Sequence, residues 1–236
     1  MKIVEIFGSI EGEGSRAGSL CTFIRSFGCC LRCKWCDTNY SYFTETNQDE
    51  VSKTLKDMTV AEIVDEVKRI GYKKVTFTGG EPLIQSEAVE LITTLAKQGF
   101  WVNIETNGAV DIANIIHNNK KVNLRNYNEP WVNNIMFTMD YKCPSSGMTD
   151  KMVLSNFNYL NENDVVKFVV GNHEDLEEMR KVIADYYKEG DIFVSPVFGQ
   201  IELTEIVDYL KEHDLQQVRM QLQLHKIIWD PAKRGV

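Results

Sequence analysis

The 236-residue chain has no run of eighteen apolar residues, no surplus of basic side chains and no second cluster of cysteines. Each absence excludes a class of protein. Without a long apolar run no membrane-spanning helix is expected, and the segment Met1 to Phe7 is too short and too soon interrupted by acid and glycine for a secretion signal. With 26 Lys and Arg against 34 Asp and Glu, the formal charge of −8 argues against a nucleic-acid partner held through its phosphates. A cytoplasmic setting follows, with thiols kept reduced and no membrane partner. The four histidines lack H-x3-5-H spacing, and six cysteines are too dilute for a disulfide framework.

What is present is concentrated. Cys29-Cys30-Leu31-Arg32-Cys33-Lys34-Trp35-Cys36 sets three thiols at C-x3-C-x2-C spacing. A purely structural tetrahedral site is closed by four protein ligands, whereas three ligands leave a position for a substrate or cofactor. Cys30, Cys33 and Cys36 also start a ferredoxin-type run, but that run needs a fourth Cys followed by Pro, and position 40 is Tyr40. A zinc ribbon would have to recruit the distant Cys21 and Cys143.

Length and a 43% hydrophobic content suit one α/β unit spanning 1–236. Lys2 to Phe7 and Leu20 to Phe27 read as strands around the glycine-rich stretch 8–14, and about 39–58 reads as an irregular insertion. Thr59-x-x-Glu62 is a capping box for a helix whose apolar residues run Val60, Ile63, Val64, Val67, Ile70. Strand and helix patterns then alternate: strands 74–78, 100–105, 135–140, 165–170, 192–195 and 218–224, helices 86–98, 110–117, 174–187 and 204–213. Asn118 to Asn134, with seven Asn, reads as an exposed loop. The expected fold class is α/β, an incomplete (β/α) barrel of mostly parallel strands, short of the eight units of a full barrel.

Two turns sit where such a sheet binds ligands, at the C-terminal ends of parallel strands: Thr78-Gly79-Gly80-Glu81-Pro82 and Glu105-Thr106-Asn107-Gly108. The cysteine loop and these two turns, in that order, resemble the radical S-adenosylmethionine superfamily. Ile6-Phe7-x-x-Ile10-Glu11-Gly12-Glu13-Gly14, Phe23-Ile24-Arg25-x-x-Gly28-Cys29, Trp35-Cys36-Asp37-Thr38, Pro144-Ser145-Ser146-Gly147-Met148 and Trp229-x4-Arg234-Gly235-Val236 are similar, more narrowly, to the 7-carboxy-7-deazaguanine synthase family. The resemblance implies a [4Fe-4S] cluster on Cys29, Cys33 and Cys36, its fourth iron chelated by S-adenosylmethionine. It also implies radical conversion of 6-carboxy-5,6,7,8-tetrahydropterin to 7-carboxy-7-deazaguanine with loss of ammonia.

Carried over by position, the resemblance puts Ile10, Glu11 and Gly12 along the pterin, Arg25 on its carboxylate, and Thr78 and Val236 beside it. Trp35, Cys36, Asp37, Gly80, Glu105, Asp140, Tyr141, Lys142 and Ser195 would contact the cofactor, and Thr38 would hold Mg2+. An electron donor such as flavodoxin or ferredoxin, and a homodimer, are implied as well. Departures stand at Glu11, where relatives often have Gln, at Asp140-Tyr141 where they have Ser-Pro, and at Ser195 where some have Gln. Cys30 is expected to be a bystander, His117, His173, His213 and His225 to be surface or core residues, and Glu174, Asp175, Glu177 and Glu178 to favour a helix N-terminus. A glycyl-radical activase and a non-catalytic iron–sulfur or zinc module are the rival readings; the first has no use for Arg25 and the Gly-Glu-Gly loop, and the second calls for a fourth protein ligand.

Overall fold

The computed structural model describes residues 1–117, 123–125 and 128–236. Its strands are β1 (Lys2–Ile10), β2 (Leu20–Ser26), β3 (Lys56–Asp57), β4 (Lys74–Gly79), β5 (Trp101–Thr106), β6 (Ile135–Tyr141), β7 (Val165–Val170), β8 (Asp191–Pro196) and β9 (Val218–Met220). The helices are α1 (Gln48–Thr54), α2 (Val60–Ile70), α3 (Ala88–Lys97), α4 (Ile112–His117), α5 (His173–Tyr186), α6 (Leu203–Glu212) and α7 (Leu224–Ile228). All nine strands join one sheet in the order β3-β1-β2-β4-β5-β6-β7-β8-β9. From β2 through β4 to β9 every pairing is parallel, while β1 runs antiparallel to both β2 and β3. The sheet is open, with β3 and β9 as its edges, so the α/β incomplete barrel holds.

Alternation along the strands divides the sheet into two unlike faces. Val75, Phe77, Val102, Ile104 and Phe137 are fully buried in the core cluster that also takes in Ile63 and Val67 of α2 and Leu91, Ile92 and Leu95 of α3. Their neighbours in sequence, Thr76, Thr78, Asn103, Glu105 and Thr138, are polar. Registered pairs keep them in rows: Arg25 lies beside Thr78, Glu105 beside Thr138, and Asp140 beside Lys167. A parallel sheet covered on both faces reads as continuous apolar runs. A polar inner face therefore marks the side kept for a ligand.

The Thr59–Glu62 capping box is present as expected: Thr59 Oγ1 accepts from the Glu62 amide and the Glu62 carboxylate accepts from the Thr59 amide. Three readings change. The insertion at 39–58 contains α1, anchored by the buried Val51, and the two-residue edge strand β3, which exists only through its pairing with Lys2 and Ile3. The expected strand 218–224 stops at Met220, and the chain turns into α7. The Asn-rich stretch lies partly outside the described residues; within the rest, Leu124 is buried and 130–134 form a 3-10 turn.

Asp175 does more than complement the α5 dipole. It is fully buried, and its two oxygens accept from the amides of Ser145 (2.8 Å) and Gly171 (2.7 Å), tying the β6–β7 connection to the end of β7. Removing the carboxylate would strand two inward-facing N–H groups. Asp175→Ala is expected to destabilise the protein by about 2–4 kcal/mol, read as a lower urea midpoint at unchanged slope. A change under about 0.5 kcal/mol would contradict this account of the connection.

Candidate active site

The cysteine loop leaves β2 at Ser26 and is pressed against the turn that follows β4. The Glu81 amide donates to Gly28 O at 2.8 Å, and a Cβ on Gly80 would stand 2.2 Å from Gly28 O and 2.7 Å from Cys29 Cβ. Only glycine permits that approach. The next residue secures the second turn: the buried Glu81 carboxyl accepts from the amides of Leu83 (3.0 Å) and Asn107 (2.7 Å) and from the Thr106 hydroxyl (3.0 Å). Asn107 in turn points its Nδ2 at Cys29 Sγ (3.6 Å) and Cys30 Sγ (3.5 Å). The two turns and the thiol loop thus form one rigid rim.

Beneath the rim lies a cavity of about 630 Å3. Ile10, Glu11, Gly12, Arg25, Thr78 and Val236 all line it, as do Trp35, Cys36, Asp37, Gly80, Glu105, Asp140 and Lys142, together with Cys29, Cys33 and Thr38. Two expected residues do not. Tyr141, the last residue of β6, follows Asp140 and by alternation faces the other way, packing on Phe168 and donating to Glu178 Oε1 at 2.8 Å. Ser195 is fully buried one layer behind the lining, where its hydroxyl donates to Glu13 Oε1 at 3.3 Å and accepts from Gln221 Nε2 at 3.0 Å.

Arg25 is held from one side. Its Nε donates to Glu5 Oε1 at 2.7 Å, an oxygen that also takes the Tyr40 hydroxyl at 3.2 Å, so the two terminal amino groups remain for a ligand. Phe7 and Phe23 stack beside it at 5.2 Å and make the apolar part of the wall. Thr78 Oγ1 donates to Glu105 Oε2 at 2.9 Å. The Thr38 hydroxyl has one weak neighbour, Cys36 Sγ at 3.7 Å.

Three residues of the site escaped the sequence reading. Lys167 interrupts the apolar run of β7, and this lone charge was its signal. Its Nζ lies 3.2 Å from Glu13 Oε2 and 3.5 Å from Asp140 Oδ2, while Lys142 Nζ lies 2.8 Å from the same Asp140 oxygen and over the Trp35 ring. Burial works against charge on both lysines, but Asp140 beside Lys142, and Glu13 with Asp140 beside Lys167, raise them above the ordinary range. Asn107 is the amide beside the thiols. His225, set aside as surface or core, lines the cavity and seats α7 on the loop between β1 and β2: a Cβ on Gly12 would lie 2.4 Å from its Nδ1, and the Leu224 amide donates to Gly12 O at 3.1 Å.

The donor set fits an iron–sulfur cluster with a bound cofactor. Cys29, Cys33 and Cys36 are free thiols on the cavity wall, and an amide donor approaches sulfur, a recognised means of setting a cluster's potential. Asp140 Oδ1 is buried with no hydrogen-bond partner among the described residues, which leaves an acceptor free on the cavity side. Cys30 is exposed.

Burial pushes Glu11 and Glu81 from 4.5 to about 7, Glu105 adding to the effect on Glu11. Between those values the folded chain keeps protons that the unfolded chain releases, so stability falls as pH rises. From about pH 4.5 to 7 the unliganded protein is expected to lose about 3 kcal/mol for each of the two carboxyls, measured by urea unfolding. Stability rising steadily across that window would contradict the assignment.

The Radical SAM superfamily matches residues 23–141, half of the chain. A 7-carboxy-7-deazaguanine synthase of Clostridium acetobutylicum is 44% identical over all of this chain and 99% of its own length. One of Methanospirillum hungatei is 39% identical, over 98% of this chain and 86% of its own. Among solved structures, QueE from Escherichia coli superposes with a TM-score of 0.70 at 23% identity, covering 95% of this chain and 94% of that one. Streptococcus suis SuiB bound to S-adenosylmethionine shares the fold at a TM-score of 0.54 and 15% identity, over 85% of this chain and 46% of its own. With the cysteine loop and both strand-end turns on one cavity, these likenesses place the chain in the radical S-adenosylmethionine superfamily and, within it, in the 7-carboxy-7-deazaguanine synthase family.

Proposed function

We propose that the protein contracts 6-carboxy-5,6,7,8-tetrahydropterin to 7-carboxy-7-deazaguanine with release of ammonia, a lyase step toward queuosine and other 7-deazapurines. One observation carries the reading: three spaced thiols and a guanidinium fork fixed by Glu5 open on the same cavity. A carboxylate-bearing heterocycle fits that pairing, because a fork held at Nε presents two parallel N–H groups to a planar anion.

Cys29, Cys33 and Cys36 would hold a [4Fe-4S] cluster, and Trp35, Asp37, Gly80, Asp140 and Lys142 would receive S-adenosylmethionine, with Tyr141 offering its backbone alone and Ser195 acting through Glu13. When bound, the cluster and S-adenosylmethionine supply one-electron chemistry at an unactivated carbon. The protein's part is placement. Arg25 takes the substrate carboxylate, the backbone of Ile10, Glu11 and Gly12 lies along the pterin, and Phe7 and Phe23 keep water from that side. Thr78 fixes one oxygen of Glu105 and leaves the other to the cofactor. Product and ammonia together contain every atom of the substrate, so no net oxidation is required.

Thr38, a neutral hydroxyl on the cavity wall, would hold Mg2+ mainly through water and substrate oxygens. A small carrier such as flavodoxin or ferredoxin would bring the electron, and the protein would act in the cytoplasm as a homodimer. No helix of the described residues is long and apolar enough to cross a membrane.

Anaerobic incubation of the cluster-loaded protein with the pterin, S-adenosylmethionine and a reductant should yield the deazapurine by mass detection; a loaded protein that makes none would sink the proposal. Cys33→Ala should lose the visible iron–sulfur absorption. Arg25→Ala should raise the KM for the pterin by about 10- to 100-fold, the worth of a charged hydrogen bond, and an unchanged KM would remove Arg25 from the carboxylate.

A further inference from the structure

Glu11 sits where many carboxylates could not. It is 3% exposed, and no Lys or Arg lies within ion-pair distance of it among the described residues. Its Oε2 accepts from Thr76 Oγ1 at 2.5 Å, whereas Oε1 has no hydrogen-bond partner among the described residues, and the residue lines the cavity. An ionised carboxylate in that position would face other acids with one oxygen unpaired, an arrangement that burial makes costly.

The groups around it come from several elements. Thr76 and the Cys21 thiol, 3.1 Å apart, lie on β4 and β2; the thiol is itself pushed up to about 11 by burial, and so stays neutral. Arg16 reaches Cys21 Sγ at 3.4 Å and offsets part of the negative field on Glu11 from beyond ion-pair range. Glu105 on β5 and Glu13 on the same loop oppose a charge on Glu11, and Glu13 is neutralised by Lys167 of β7. His225 of α7 rests on the adjacent Gly12 and is lowered by burial, so it titrates on the acid side of its usual value.

We propose that Glu11 works as a neutral carboxylic acid, one oxygen accepting from Thr76 and the other donating its proton into the pterin cavity. This rests on the pterin reading above. It gives Glu11 the same hydrogen-bond pattern that an amide would show there, an acceptor toward Thr76 and a donor toward the ligand, with one difference: the acid can lose its donor. The desolvation that holds the proton to about pH 7 then makes ligand binding sensitive to mild alkali. Glu11 is a positioning residue for the heterocycle and takes no part in hydrogen abstraction.

The test is the pH profile of binding of 6-carboxypterin, a stable fluorescent probe, to the wild type and to Glu11→Gln, from pH 5.5 to 8.5, with folding checked by thermal unfolding. Wild-type affinity is expected to fall by about tenfold per pH unit above pH 7, and Glu11→Gln to flatten that limb to within about threefold across the range. Infrared difference spectra of wild type minus Glu11→Gln, without ligand, should show a protonated carboxyl stretch that persists to about neutral pH; Glu81 cancels, being common to both. Parallel binding profiles for the two proteins, or a carboxyl band already lost by pH 5, overturn the role given to Glu11. Failure of either protein to bind the probe at any pH, with the infrared band present, overturns the pterin reading instead.

Discussion

The site depends on one close approach, that of the Gly80 backbone to Gly28 and Cys29. The sheet alone cannot bring a thiol loop to the end of β4, because the loop projects past the last hydrogen bond of β2. A glycine with nothing beyond Cα lets the two backbones meet, and the amide of Glu81 converts the meeting into a hydrogen bond. The carboxyl of Glu81 extends the same join to the turn after β5. Three loops from three strands thereby share a frame, and the thiols keep their places without a fourth protein ligand.

A polar inner face needs compensation, and the structure supplies it in two forms. Above, charge meets charge: Lys142 and Lys167 stand against Asp140 and Glu13, buried pairs whose members would be costly alone. Below, acidity is suppressed, as burial raises the Glu11 carboxyl to about 7. Two kinds of carboxyl therefore share one cavity wall, and the difference between them comes from the company each keeps.

Local features of the site could be read from the sequence because their causes are local. Thiol spacing, the Thr59–Glu62 box and the strand-end glycines need only a few neighbouring residues to be understood. What escaped depended on the sheet. Whether Tyr141 or Lys142 meets the cavity is decided by the face each takes beside β7, and Lys167 gains meaning only when β7 lies next to Asp140. β3 has no pattern of its own and is drawn into a strand by β1. The seat of His225 on Gly12 joins residues from opposite ends of the chain, beyond any spacing rule.

That last contact sets an order of events during synthesis. Leu224, His225 and Gln221 close onto Gly12 and Gly14, the Gly14–Gln221 bond spanning 207 positions of sequence. A ribosome delivers the cysteine loop and its two supporting turns, all within residues 28–108, before the segment 221–225 that closes on Gly12 and Gly14. The loop that carries the thiols can therefore reach its frame while the cavity is still open on the side that α7 covers.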